Sequence, residues 1–201
     1  MDTKHVLTDC DGVLLNWEYA FITHMKAKNY EILQPMYKYG FDHDTPVEEV
    51  DEEIIKFNAS AAIGFLPPLR DAVEYVTKLS EKGYRFTVIS SFSTDEFARL
   101  LRIRNLEKIF GKIFDNYQFL GCDESKISTL TQYKDSGAWW IEDKMQNAID
   151  GSNLGLRSVL LEHRHNMIRD DSPSTKLWKE AEDIPRAKDW RQIYDMIVGE
   201  T

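Results

Sequence analysis

Five residues of this chain carry side chains suited to phosphoryl transfer, and most of them lie at the ends of predicted strands. They are Asp9, Asp11, Ser90, Lys126 and Asp143. A carboxylate can attack phosphorus, a second carboxyl group can exchange a proton with the leaving oxygen, and a hydroxyl and an ammonium group can hold the phosphate. A carboxylate from another strand can help to bind a magnesium ion. The set therefore predicts magnesium-dependent chemistry on a phosphate ester.

The elements that must position these residues alternate along the chain. The predicted strands are His5–Thr8, Phe86–Ser90, Ile113–Phe119, Ala138–Ile141 and Ser158–Leu161. The predicted helices cover residues 17–29, 47–62, 69–79, 94–104, 125–134, 144–154 and 189–198, and a polar surface loop or crossing segment is expected over 163–183. Strands that alternate with helices predict an α/β fold, with a Rossmann-like parallel sheet and helices on both faces.

In such a sheet, ligands bind outside the carboxyl ends of the strands. Asp9, Ser90 and Asp143 fall at these ends, and the spacing of Asp9 and Asp11 directs both carboxylates toward one pocket. Carboxylates that lie so close together need a cation, and we expect Asp9, Asp11 and Asp143 to bind Mg²⁺. Asp11 is expected to use only its backbone carbonyl for the metal, because direct ligation would keep its carboxyl group ionised.

The two aspartates of the first loop need different protonation states. Asp9, held ionised by the cation and by Lys126, is the predicted nucleophile. Asp11 is the predicted acid and base, which requires burial to raise its pKa by about two to three units. Ser90 and Lys126 are predicted to bind the phosphate and to contribute to catalysis, and either Ser90 or its neighbour Ser91 could supply the hydroxyl contact.

The segment 17–66 is too long for an ordinary connection between a strand and a helix. It is interpreted as a small helical cap, inserted into a catalytic core of residues 1–16 and 67–201. The aromatic residues of the cap could stack on a base or another apolar leaving group, or they could form the cap's own small core. They are Trp17, Tyr19, Phe21, Tyr30, Tyr37, Tyr39 and Phe41.

Composition limits the classes of partner. The net charge of −9 over 201 residues disfavours binding to duplex nucleic acid, which depends on an excess of Lys and Arg. The two cysteines do not form a disulfide framework. The N-terminus lacks the apolar stretch of a signal peptide, and no window is apolar enough for a membrane span. A soluble, cytoplasmic protein with a small phosphorylated substrate and no membrane partner is expected, while the sequence gives no indication of the oligomeric state.

In these motifs the chain resembles the haloacid dehalogenase superfamily of aspartate-nucleophile phosphatases. The motifs are, in order, Asp9 to Val13, Ser90, Lys126, and Glu142 with Asp143. The match extends from residue 4 to about residue 162 and implies a Rossmann-like core, a helical cap and Mg²⁺-dependent phosphomonoester hydrolysis. Asn147 stands where many members carry a second acidic residue. The cap segment and the stretch from Gly64 to Pro68 resemble deoxyribonucleotidase-like members, which implies a 5′-nucleotidase for (deoxy)nucleoside monophosphates.

Other functions remain open at this point. A sugar-phosphate phosphatase or a polynucleotide 3′-phosphatase would use the same site. A phospho-accepting module of the receiver type is disfavoured, because its accepting aspartate ends a later strand. A silent nucleotide-binding protein would not require Asp11. His163 and His165 could contact a metal or the substrate, although a solvated loop is the favoured interpretation.

Overall fold

The computed structural model describes residues 4–30, 47–122, 124–167 and 174–199. Within these ranges, six parallel strands form one sheet with the order β3-β2-β1-β4-β5-β6. The strands are β1 (His5–Thr8), β2 (Arg85–Ser91), β3 (Phe114–Leu120), β4 (Trp139–Glu142), β5 (Arg157–Leu161) and β6 (Arg186–Ala187). The predicted α/β fold with a parallel, Rossmann-like sheet is confirmed.

Helices connect most of these strands, and seven of the nine described α-helices lie close to the predicted positions. They are α1 (Trp17–Ala27), α2 (Val47–Asn58), α3 (Ala72–Glu81), α4 (Glu96–Phe110), α5 (Ile127–Leu130), α6 (Met145–Asn153), α7 (Arg164–Met167), α8 (Ser174–Glu180) and α9 (Trp190–Gly199). Two 3₁₀ helices follow α2 and α5, at Ala61–Phe65 and Thr131–Tyr133. Among the described elements, no helix combines the length and the apolar character required to cross a membrane.

The sheet is buried on both faces, because alternate residues of a strand point in opposite directions. Val6, Val88 and Ile141 pack on one face, in a cluster that includes residues of α3, α4 and α9. Leu7 and Ile89 pack on the other face with α5. Farther along the same face, β5 packs against α6 and α8. The predicted two-sided helical cover is therefore confirmed.

Of the two alternatives for 163–183, the surface loop is wrong in the described part of that segment. The helices α7 and α8 fall within it, and Asn166 and Ala181 are buried. The Asn166 amide donates hydrogen bonds to the backbone carbonyls of Asp143 and Leu161, at 2.7 and 2.8 Å. Polar residues in this segment thus bind backbone groups where the strands end. The composition of the segment alone did not show whether its polar side chains would bind the backbone or face solvent.

The described part of segment 17–66 is helical. The Trp17 and Phe21 rings stack with centroids 4.7 Å apart, and Phe57 meets both rings edge-on. These rings form an apolar core, as one of the two interpretations of the aromatic residues expected, whereas Tyr19 is 61% exposed. Asn58 links the segment to the rest of the chain, because its side chain accepts from Trp17 Nε1 at 2.8 Å and donates to the Phe92 carbonyl at 3.2 Å.

The remaining aromatic residues predicted for the cap are Tyr30 and the group Tyr37, Tyr39 and Phe41. Tyr30 donates a hydrogen bond from its hydroxyl to Glu49 at 3.1 Å. The other three lie outside the described residues. The division into a core of 1–16 and 67–201 and a cap of 17–66 stays a prediction.

Candidate active site

A cavity of about 420 Å³ lies where β1, β2 and β4 end. Its lining includes Asp9, Asp11, Ser91, Lys126 and Asp143. The central strand β1 pairs with β2 on one side and β4 on the other, so the order of the strands along the chain changes direction there. Open parallel sheets bind ligands at such a switch point. The topology therefore brings most of the predicted residues to one site.

Three acidic side chains form a buried cluster at this site. One carboxylate oxygen from each of Asp9, Glu142 and Asp143 lies within 4.8 Å of the other two. Their residues are only 5%, 0% and 6% exposed, respectively. Asp143 is thus next to Asp9, as the sequence required, although more than a hundred positions separate them along the chain.

Lys126 neutralises part of this cluster. Its ammonium nitrogen lies 2.9 Å from Asp9 Oδ2 and 2.8 Å from Glu142 Oε2. Burial alone would lower the pKa of Lys126, but the two carboxylates outweigh that effect and hold the pKa above its ordinary value. Lys126 is therefore a fixed positive charge beside Asp9.

Glu142 is fully engaged by hydrogen bonds. Oε2 accepts from Lys126 and from the Asn147 amide at 3.2 Å, and Oε1 accepts from the backbone N–H groups of Asp143 and Lys144, both at 3.0 Å. Glu142 therefore positions Lys126 and the loop after β4. Asn147, which stands where many members of the resembled superfamily carry a second acidic residue, donates to Glu142.

Asp143 has an oxygen that fits a cation. Its Oδ1 is buried, and no hydrogen-bond partner is found for it within the described ranges. Burial, together with the negative charge of Asp9, raises the pKa of Asp143 to about 6. Three buried carboxylates face one ammonium group here, and hard oxygen donors with excess negative charge suit Mg²⁺. The residues at the site fit the predicted metal.

The first loop approaches Asp143 closely at Gly12. This glycine has a φ of +76°, and a Cβ built on it would lie 2.3 Å from Asp143 Oδ2. A side chain at this position would therefore collide with the carboxylate, in a backbone conformation that already favours glycine. Gly12 allows the loop after β1 and the loop after β4 to share one site.

Two stacked histidines hold these loops together. His163 Nε2 lies 2.6 Å from the carbonyl oxygen of Gly12, and His165 Nε2 lies 3.0 Å from that of Asp143. Because a carbonyl oxygen only accepts, each Nε2 is assigned the proton. The rings are 5.4 Å apart and nearly parallel, and burial lowers the pKa of His163 to about 4. The expected solvated loop is thus wrong here, since both rings line the cavity and bind backbone carbonyls.

Asp11 has a different environment from Asp9. Its carboxylate is not part of the three-residue cluster, and Oδ1 forms an ion pair with Arg102 NH1. Burial raises the pKa of Asp11 above its ordinary value, while the charge of Arg102 opposes that rise. The direction is the one that a proton donor at this position needs. Nothing in the sequence motifs pointed to Arg102, which lies in the middle of α4.

The two serines at the end of β2 are placed differently. Ser91 lines the cavity, and its hydroxyl donates to the Glu124 carbonyl at 3.0 Å. Ser90 is 1% exposed, is absent from the cavity lining, and its hydroxyl has no hydrogen-bond partner in the described part of the chain. Neighbouring residues of a strand face opposite sides, so only one of the two can face the cavity. A role for Ser90 in catalysis or phosphate binding stays a prediction.

With this geometry established, comparison with known proteins identifies the architecture. A HAD family hydrolase from Deinococcus radiodurans R1, solved with phosphate and sodium, superposes with a TM-score of 0.63 over 98% of this chain and 95% of its own, at 17% identity. The fold is that of the haloacid dehalogenase superfamily. A predicted phosphatase from Clostridium acetobutylicum gives a TM-score of 0.64 at 16% identity, covering 97% of this chain and 98% of its own. The resemblance inferred from the motifs is confirmed for the fold.

A third structure and one curated relative complete the comparison. D,D-heptose 1,7-bisphosphate phosphatase from B. bronchiseptica, solved with magnesium and phosphate, gives a TM-score of 0.57 at 11% identity, with 98% and 99% of the two chains covered. The uncharacterized 32.4 kDa protein in the Gp30-rIII intergenic region of Enterobacteria phage T4 is 29% identical over an alignment of 138 positions, and the match covers 65% of this chain. The match spans 49% of that relative, so this chain covers about half its length. No family model matches the sequence.

Proposed function

We propose that this protein is a phosphatase that hydrolyses a small phosphomonoester in the presence of Mg²⁺, through an aspartyl-phosphate on Asp9. The observation that carries the proposal is the position of Asp9. It lies at the cavity with Lys126 on one oxygen, and two further buried carboxylates lie beside it. Solved structures of the same fold, among them hydrolases and phosphatases with bound phosphate, support the assignment.

The proposed reaction has two steps, and Asp9 is the nucleophile of the first. A carboxylate oxygen of Asp9 forms a bond to phosphorus while the bond from phosphorus to the leaving oxygen breaks. The leaving oxygen takes a proton from the carboxyl group of Asp11. The backbone N–H of Cys10 donates to Asp9 Oδ1 at 2.7 Å, and Lys126 contacts Oδ2, so the nucleophile is fixed before substrate binds.

The second step releases phosphate and restores the enzyme. Asp11, now ionised, removes a proton from water as the water oxygen attacks phosphorus. The bond between phosphorus and Asp9 breaks, and inorganic phosphate and the Asp9 carboxylate result. Asp11 thus acts first as acid and then as base, which returns its proton in each turnover.

The carboxylates of Asp9 and Asp143, with the backbone carbonyl of Asp11, would hold the Mg²⁺ ion. When bound, the ion offsets the negative charge of the carboxylates and of the phosphate oxygens. Glu142 would support this set indirectly, since both of its oxygens already accept hydrogen bonds.

Within the class of small phosphomonoesters, the proposed substrate is a (deoxy)nucleoside monophosphate. A cavity of about 420 Å³ suits a small molecule, and Trp17 and Ile54 give it apolar lining for a leaving group. Sugar phosphates and oligonucleotide 3′-phosphates are the alternatives within the same chemistry. The cytoplasmic location also stays a prediction.

The test is phosphate release by the purified protein from a panel of nucleoside monophosphates, sugar phosphates and a 3′-phosphorylated oligonucleotide. Turnover with Mg²⁺, its loss in EDTA and its recovery when Mg²⁺ is restored are expected. The preferred member of the panel identifies the substrate class. An absence of turnover on the whole panel with Mg²⁺ would contradict the proposal, and a stable aspartyl-phosphate would indicate a phospho-accepting module instead.

A further inference from the structure

We propose that Arg102 is a positioning residue for Asp11, holding one carboxylate oxygen so that the other can exchange protons with the leaving group and with water. This inference rests on the proposed function, because it assigns Arg102 a part in the acid and base chemistry of Asp11. Arg102 NH1 forms an ion pair with Asp11 Oδ1, and Asp11 itself lines the cavity with 21% of its side chain exposed. The pair leaves Oδ2 of Asp11 available.

Arg102 is itself held in place on several sides. Its residue is 0% exposed, and NH1 also lies 3.0 Å from the sulfur of Cys10. The guanidinium carbon lies 4.6 Å from the centre of the Phe92 ring, which is a stacking contact. A planar group fixed by a ring, a sulfur and a carboxylate has little freedom to rotate. It can therefore fix the direction of the Asp11 carboxylate.

Stability does not account for this arrangement. Buried ion pairs contribute little net stability, because removing two charges from water costs about as much as their attraction returns. Arg102 also has two nitrogen atoms, Nε and NH2, that find no hydrogen-bond partner in the ranges the structure describes. Buried donors without partners destabilise a fold. What the ion pair does provide is a fixed orientation of the Asp11 carboxylate.

The helix offers a matched control. Arg104 lies two positions along α4 from Arg102 and is exposed. Arg104→Met removes the same type of side chain from the same helix without contact to Asp11. Arg102→Met removes the ion pair, and Arg102→Lys keeps a positive charge but lacks the planar group with several donors.

The experiment measures, in the pre-steady state, the rate at which the leaving group is first released from two substrates with Mg²⁺ present, because hydrolysis of the aspartyl-phosphate also needs Asp11 and would limit steady-state release. One is p-nitrophenyl phosphate, whose leaving oxygen needs little protonation, and the other is an alkyl phosphate that the wild type accepts. For Arg102→Met we expect a loss of about 10- to 100-fold on the alkyl ester and a much smaller loss on the aryl ester. Arg102→Lys should recover part of the alkyl activity, and Arg104→Met should match the wild type.

A double-mutant comparison separates positioning from a general structural effect. In an Asp11→Asn background, Arg102→Met should change the remaining rate by less than about threefold, because its target is already absent. In this double variant both members of the ion pair are neutral, so no buried charge is left unpaired. The double variant can therefore be measured even if Arg102→Met alone folds poorly. Thermal unfolding of each variant checks the fold.

Equal losses on both substrates, or the same loss with and without Asp11, would overturn the inference while leaving the phosphatase assignment intact. A wild-type protein without activity on either substrate would overturn both. Selective loss on the alkyl ester that disappears in the Asp11→Asn background would support the positioning role.

Discussion

Asp9 and Asp11 are two positions apart on one loop, yet their surroundings differ in kind. Asp9 belongs to a buried carboxylate cluster and pairs with Lys126, while Asp11 lies outside that cluster and pairs with Arg102. The side chain of Asp9 is 7% exposed and that of Asp11 is 21% exposed. Each acid thus has its own cation, supplied by a different part of the chain. One short loop can place two carboxyl groups at a cavity and still give them separate tasks.

The sharpest test of this division is Asp9→Asn. An amide cannot form the aspartyl-phosphate, so phosphate release should fall by about 10⁴-fold or more on every substrate, whatever its leaving group. Steady-state rates on an aryl and an alkyl phosphate measure the effect. Asparagine keeps the size of the side chain, so unfolding temperature should change little. Substantial remaining turnover would show that Asp9 is not the nucleophile.

Asp11→Asn should behave differently. It removes the proton donor but leaves the nucleophile, so the first, pre-steady-state release of the leaving group should fall by about 10²- to 10⁴-fold for an alkyl ester and far less for an aryl ester. The ratio of these two pre-steady-state rates, compared with that of the wild type, is the measurement. If both esters lose activity equally, the two aspartates do not divide the chemistry as proposed.

Gly12→Ala tests how closely the two loops must approach. A methyl group would collide with Asp143 Oδ2, so we expect Mg²⁺ affinity to fall by about 10- to 100-fold. The Mg²⁺ dependence of turnover, or calorimetric titration with Mg²⁺, measures this loss. Gly111→Ala is the matched control, because Gly111 has a φ of +75° and no atom within 4 Å of the added carbon. Equal Mg²⁺ affinities in the two variants would contradict the proposed contact.

The last expected effect concerns stability and pH. The pKa of Asp143 in the folded, metal-free protein is about 6, above the ordinary value of 3.8, so the folded state binds the proton more tightly than the unfolded chain does. Stability should therefore fall as pH rises from about 4 to 6, by at most about 3 kcal/mol. Chemical denaturation in EDTA at both ends of this range provides the measurement.

The matched variant for this prediction is Asp143→Asn, which has no proton to lose. Its stability should show a weaker fall over the same pH range, and the difference from the wild type isolates residue 143. Addition of Mg²⁺ should restore stability to the wild type above pH 6, but not to the variant. Identical pH profiles for the two proteins would show that Asp143 is not the group responsible.

Much of the fold and part of the site could be predicted from the sequence. Asp9 and Asp143 come together because parallel strands end at the same edge of a sheet, and a short strand followed by an acidic residue is visible in the sequence. Strand periodicity was sufficient for these two residues, whereas Lys126, the N-cap residue of α5, was predicted from its position before the fourth motif. The large separation of these residues along the chain did not prevent the prediction, because the sheet topology determines which strand ends lie side by side.

Two features could not be predicted in this way. Arg99, Arg102 and Arg104 lie within one helix, and nothing in their spacing shows that the middle one is buried beside Asp11. Ser90 and Ser91 are adjacent and chemically identical, so their sequence does not show that Ser91 is the one that lines the cavity. Both features depend on how elements pack against each other, and local pattern does not determine packing.

One consequence concerns Lys126 during the reaction. When Asp9 becomes an acyl phosphate, the negative charge beside Lys126 moves from the carboxylate to the phosphoryl group, which leaves again when phosphate is released. Glu142 is a counter-charge that stays in place throughout, because it contacts Lys126 at 2.8 Å and is itself anchored by backbone N–H groups. Lys126 can therefore keep its proton and its position from the resting enzyme through the covalent intermediate to the release of phosphate.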